Sequence, residues 1–150
     1  MSRENHSIKK IFDSAFHHFQ NGNLNQAEIL FKKVLKSIPK HFSSIFLLGT
    51  LSAQDKKFQT AKKLLKQAIE INPNYAEAHN NLGSVFQELG KHQEAIASYQ
   101  KAIERDPNYI EARNNLGNVF QDTSRKLWRG VFQFLHLSNL LACQLNQNLF

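Results

Sequence analysis

The chain has 150 residues but only one cysteine, one methionine and one tryptophan. Cys143 alone can build neither an internal disulfide framework nor a cysteine zinc site, so a reducing, cytoplasmic setting is expected. The opening residues MSRENHSIKK lack the apolar run of a secretory signal. No stretch approaches the ~18 uninterrupted apolar residues that a spanning helix needs. Chemical motifs are missing as well: there is no HExxH, no GxSxG and no glycine-rich phosphate loop. The seven histidines show no metal-ligand spacing, and the adjacent His17 and His18 project from different parts of a helix surface. Glu77 and Glu111 recur at the same register, but as acids near helix starts they are expected to be solvated charges favoured by the helix dipole. No metal, no cofactor and no catalytic residue is therefore expected.

Proline is equally scarce, and its placement organises the chain. Pro39, Pro73 and Pro107 lie 34 residues apart. Ala27, Ala61 and Ala95 keep the same interval, as do Leu35, Ile69 and Ile103, and Gly49, Gly83 and Gly117. Self-similarity at this period marks stacked helical hairpins, none of which can bury its apolar face alone. Helices are expected at 8–20, 24–37, 42–54, 58–71, 76–88 and 92–105, with a seventh at 110–122. Gly22 and Gly90 suit the left-handed position of the hairpin turns; Lys56 takes that place in the second unit. Each proline then stops a second helix, because it cannot continue the hydrogen-bond ladder. Leu82, Phe86, Ile96, Tyr99 and Ile103 supply apolar faces at helical spacing. Gly83 and Ala95 are placed where the two helices of a hairpin cross. The fold class is all-α, a right-handed α-solenoid, with an array over 8–122 (units 8–41, 42–75, 76–109 and a partial 110–122).

Charge is uneven. Residues 1–75 carry 12 Lys or Arg against 5 Asp or Glu, while residues 76–150 carry 7 of each. The excess sits in clusters, at Lys32, Lys33 and Lys36 and again at Lys56, Lys57, Lys62, Lys63 and Lys66, most of them on second helices. Aromatic residues that would stack bases are not interleaved there, so a solvated outer face is expected and nucleic acid is not an expected partner.

NNLGSVFQELGKHQEAIASYQKAIERDPNY resembles a tetratricopeptide repeat (TPR), with Leu82, Gly83, Phe86, Gly90, Ala95, Tyr99, Ala102 and Pro107 fitting the pattern. The third and fourth units are most similar to repeats of O-linked N-acetylglucosamine transferases. That resemblance implies an asparagine on the inner face of each first helix, gripping the backbone of an extended peptide. Asn81 and Asn115 match the place; Asp13 and Leu47 stand there in the first two units. An amide offers donors and an acceptor to main chain without reading sequence. Asn80, Asn114, Ser84 and Asn118 extend this polar surface, and Phe12, Phe16, Phe46 and Leu47 make its other end apolar. The expected peptide-binding groove is thus Asn81, Asn115, Asn80, Asn114, Ser84, Asn118, Phe46 and Leu47. An alternative role for the amides is solvation of the inner face or bonding to a neighbouring helix. A carboxylate clamp of Lys and Arg is not evident, since its registers hold Phe12, Phe46, Asn80 and Asn114.

The pattern breaks after Asp122. Arg129 stands where the recurring alanines would be, Leu141 replaces proline, and residues 123–150 hold no acid. Leu127, Val131, Phe134, Leu135, Leu141, Ala142 and Leu145 line one broad apolar face. Three readings stay open for this divergent tail: a capping helix, an interfacial helix for a membrane surface or dimer partner, and a junction left by truncation or frameshift. The expected function is a non-catalytic protein-interaction scaffold holding a peptide or helix in a concave groove, with self-association through the exposed end. The alternative is the substrate-recruiting part of an O-GlcNAc transferase-like enzyme whose catalytic domain lies outside these residues.

Overall fold

The computed structural model describes the backbone of residues 3–147 and the side chains of 6–131 and 133. Seven helices follow in order: α1 (Arg3–Gln20), α2 (Leu24–Ser37), α3 (Phe42–Gln54), α4 (Phe58–Ile71), α5 (Ala76–Glu88), α6 (His92–Arg105) and α7 (Ile110–Gln147). No strand occurs among the described residues. Three antiparallel hairpins, α1–α2, α3–α4 and α5–α6, stack so that each touches the next, and α7 closes against α6 and α5. The architecture is an all-α solenoid of helix-turn-helix units.

The turns explain the hairpins. Two residues beyond the ends of α1, α3 and α5 the chain takes the left-handed conformation: Gly22 at φ 74°, Lys56 at φ 59° and Gly90 at φ 71°. Around Gly90, the Lys91 amide donates to the Phe86 carbonyl at 2.8 Å and the Gly90 amide to Gln87 at 2.9 Å. These are the paired bonds that satisfy the orphan carbonyls of a helix end. Second helices end two residues before each proline. There Asn72 and Asp106 accept from the amides of Asn74 and Asn108, the local turn that Asn and Asp side chains favour.

Close packing depends on small residues. Ala27, Ala61 and Ala95 have no exposed surface, and beside them Phe31, Leu65 and Tyr99 are fully buried. At the crossing of α5 and α6, where Gly83 and Ala95 were placed, the nearest neighbour of Gly83 is Tyr99. A methyl group added at Gly83 would lie 2.6 Å from the Tyr99 ring, so the glycine makes room for an aromatic one turn further along α6. Interior packing at this density leaves no slack for extra atoms.

The end of the array also departs from expectation. No turn separates 110–122 from the tail; α7 runs through as one helix of 38 residues, about 57 Å long at 1.5 Å per residue. Ser124 occupies the register of Gly22 and Gly90. With Arg129 in place of the crossing alanine, a returning helix would bury a guanidinium at a close contact. Nothing then offsets the cost of the left-handed turn, and the helix continues. The described residues 120–131 are all exposed, and Lys126 reaches back to His92 at the start of α6, its Nζ 3.0 Å from the ring Nε2. Side chains of Phe134, Leu135, Leu141, Ala142 and Leu145 lie outside the described residues. As a result Phe120 is 50% exposed whereas Phe86, its counterpart one unit earlier, is 8% exposed, and Gly117 meets no atom within 4 Å. Among the described residues, no helix is long and apolar enough to cross a membrane.

Candidate functional site

The first helices of the units, α1, α3, α5 and α7, present one face with two adjoining clefts. The first cleft, of about 460 Å³, lies between α1 and α3. Phe12, Phe16 and Phe19 form one wall, and Phe42, Phe46 and Leu47 the other. Tyr75, from the turn after Pro73, and Glu77 close its edge. The rings are ordered against one another. Phe12 and Phe16 stack at 6.3 Å, Phe42 and Phe46 at 6.2 Å, and Tyr75 stands edge-on to Phe42 at 5.1 Å and to Phe46 at 5.0 Å. Such pairs contribute about 0.5–1.5 kcal/mol beyond area burial, so the cleft is largely preformed. The Tyr75 hydroxyl donates to Glu77 Oε2 at 2.7 Å. Burial, then this bond to a carboxylate, push the Tyr75 phenol up to about 12, so it remains a neutral donor that orients Glu77 at ordinary pH.

The second cleft, of about 380 Å³, lies between α3 and α5. Thr50, Gln54, Asn81, Ser84 and Glu88 supply its polar groups, and Ala53, Phe58 and Val85 its apolar ones, with Lys56 at the rim. Asn81 Nδ2 donates to Thr50 Oγ1 at 3.3 Å, which bridges the two first helices and leaves the amide half-exposed.

The eight expected groove residues divide among different roles. Phe46 and Leu47 line the aromatic cleft, and Asn81 and Ser84 line the polar one. Asn80 lies fully buried, accepting from Asn115 Nδ2 at 3.0 Å and donating to Glu111 Oε1 at 3.2 Å. It is therefore a strut between α5 and α7. Asn114 and Asn118 are exposed and line neither cleft. Asn81 and Asn115 each direct an N–H to the preceding first helix, so the asparagine register joins consecutive units. Ser84 accepts from the Tyr99 hydroxyl at 3.2 Å and donates to the Asn80 carbonyl.

Phe19, Phe42, Tyr75, Thr50, Gln54 and Glu88 were not among the expected groove residues. Their signal was present in part. Phe42 occupies the register of Ile8, Ala76 and Ile110, and an aromatic at that position has no need to repeat for core packing. Among the described residues no group of three or more His, Cys, Asp or Glu could hold a metal ion.

Comparisons agree with this architecture. Residues 76–109 and 98–130 match the tetratricopeptide repeat, and residues 53–90 match the TPR repeat. No curated protein sequence matches the chain. Among solved structures, a Thermobaculum terrenum O-GlcNAc transferase variant superposes with a TM-score of 0.75 at 28% identity. The match covers 79% of this chain but 23% of the transferase. The crystal structure of MamA matches at TM-score 0.74 and 26% identity, covering 78% of this chain and 68% of MamA. The first TPR of Spaghetti, bound to an HSP90 peptide, shares the fold at TM-score 0.74 and 23% identity, with 78% and 93% covered. With successive repeat matches spanning 53–130 and the helical stack on which they lie, the chain belongs to the tetratricopeptide repeat family.

Proposed function

We propose that this chain is a non-catalytic scaffold that holds a peptide or helix of a partner protein across α1, α3 and α5. The observation that carries this reading is the pair of adjoining clefts on one face, an aromatic one beside a polar one. Binding sites combine apolar walls with a few convergent polar groups, and here the apolar wall anchors while Asn81, Thr50, Gln54 and Ser84 offer bonds to main chain. The peptide-bound Spaghetti repeats share the fold and are consistent with this use of it. Phage-displayed random peptides panned on the immobilised chain test the reading. Selected peptides should lose binding to a Phe16→Ser, Asn81→Ala variant of unchanged helicity. Peptides that bind the variant equally would refute it.

The 28% identity with the transferase favours a second reading, recruitment of substrates to a glycosyltransferase. In that case, grafting this array onto a repeat-deleted transferase restores modification of protein substrates; no restoration rejects it.

A further inference from the structure

We infer that the aromatic cleft selects a segment whose bulky apolar side chain is flanked by lysine or arginine; this rests on the groove reading above and adds the chemistry of its occupant. The argument begins with an inversion of charge. The chain carries a formal net charge of +7, yet α3 and α5 contain no Lys or Arg, and among the described residues Glu77 is the one charged residue that lines the aromatic cleft, Lys9 and Lys10 of α1 preceding its wall. Their acids, Glu77 and Glu88, stand at the edges of the first and second cleft respectively. Asp13 lies exposed on α1, next to Phe12 of the same aromatic wall. The ion pairs among the described residues are Lys32–Glu28, Lys57–Asp55 and Lys91–Glu94, so none engages Asp13, Glu77 or Glu88, although Lys56 shares the second cleft with Glu88. The lysine clusters ride on α2 and α4, the second helices.

The apolar half of the site is equally specific. Phe16 is 38% exposed at the mouth of the cleft while Phe46 beneath is buried. A volume of about 460 Å³ falls within the range of sites that enclose a ligand group, roughly 300–1,000 Å³. Aliphatic or aromatic side chains can fill a space walled by rings, since stacked and edge-on contacts are both available. Glu77, fixed by the Tyr75 hydroxyl, lies at the rim, where a cation adjacent to the anchor would meet a carboxylate already oriented. An acidic segment in the aromatic cleft would instead meet Glu77 with like charge, and no described Lys or Arg lines that cleft to offset it. Complementary potentials of this kind set specificity and on-rate.

Fluorescence polarisation with two labelled synthetic peptides tests the inference. Both carry a Phe-Leu centre; one flanks it with paired lysines, the other with paired glutamates. The lysine peptide should bind and the glutamate peptide should not, and the preference should shrink as salt rises from about 0.1 M to 1 M and the screening length falls from about 10 to 3 Å. Glu77→Gln should weaken the lysine peptide by up to about five-fold, the scale of one exposed pair. Phe16→Ser should weaken it about ten-fold or more, the scale of an anchor contact. Equal binding of both peptides, lost in Phe16→Ser, would overturn the charge selection while supporting the groove. Binding of neither peptide, together with failure of phage selection, would overturn both. The comparison of the two peptides on the unaltered chain stands even if a variant is poorly folded.

Discussion

Gly83 and Gly117 occupy the same register of successive first helices, and replacing each with alanine should give opposite results. At Gly83 the new methyl would lie 2.6–3.0 Å from three atoms of the Tyr99 ring. That ring cannot readily yield. It is 1% exposed, and its hydroxyl sits 3.0 Å from Gln87 Oε1 and 3.2 Å from Ser84 Oγ. At Gly117 the methyl meets nothing within 4 Å. Both changes gain the same helix propensity, about 1 kcal/mol. Overpacking costs about 1–3 kcal/mol and applies to Gly83 alone. Gly117→Ala should therefore stabilise by about 1 kcal/mol, and Gly83→Ala should be neutral or destabilise by up to about 2 kcal/mol. The propensity term cancels in the comparison, so the gap between the variants measures the packing term by itself. Urea unfolding followed by far-UV circular dichroism reads Gly83→Ala, and hydrogen exchange of α7 amides reads Gly117→Ala locally, since repeat arrays respond unit by unit. Adding Tyr99→Leu to Gly83→Ala should recover part of the loss, because Gly49 already faces Leu65 at the looser distance of 3.0 Å. Equal stabilisation by both alanines would show that Gly83 is not held open by Tyr99.

Three further outcomes are expected. Lys56→Gly should stabilise by about 1–2 kcal/mol in thermal or urea unfolding, because Lys56 holds a left-handed φ of 59° that costs an L-residue about that much; a destabilised variant would refute the strain. His41 caps α3 by accepting from the Ser44 amide at 3.3 Å, and burial lowers its pKa below the usual 6.5. The neutral ring is thus favoured in the fold, so this contribution is present above pH 6.5 and disappears as pH falls through the lower folded value. His41→Asn, a cap that does not titrate, should flatten that acid limb, and an unchanged pH profile of the urea midpoint would refute the assignment. Finally, Phe120, Leu127 and Trp128 expose an apolar stripe on α7, so sedimentation velocity should show self-association that Leu127→Glu with Trp128→Glu abolishes. A chain that stays monomeric at its highest soluble concentration would refute this.

What the amino-acid sequence determined by itself is the part written in short range. Helices α2 to α6 run as the turn residues, prolines and apolar spacing imply, because a left-handed glycine or a missing amide acts on the few residues around it. The 34-residue period carried the stacking, since each hairpin must cover the next. Other features were decided only by tertiary structure. Whether α7 turns back depends on whether a second helix could pack against it, a balance between a local strain at Ser124 and a distant contact at Arg129. The asparagines read alike in sequence, yet Asn80 is buried between α5 and α7 while Asn114 is exposed, because Glu111 and Asn115 of the next first helix cover Asn80 and no described helix follows α7 to cover Asn114. The aromatic cleft joins rings from Phe12 to Tyr75, and no local pattern records that proximity. It arises from the superhelical stacking of units, in which small errors in crossing angle move side chains by ångströms, and so it belongs to the assembled fold.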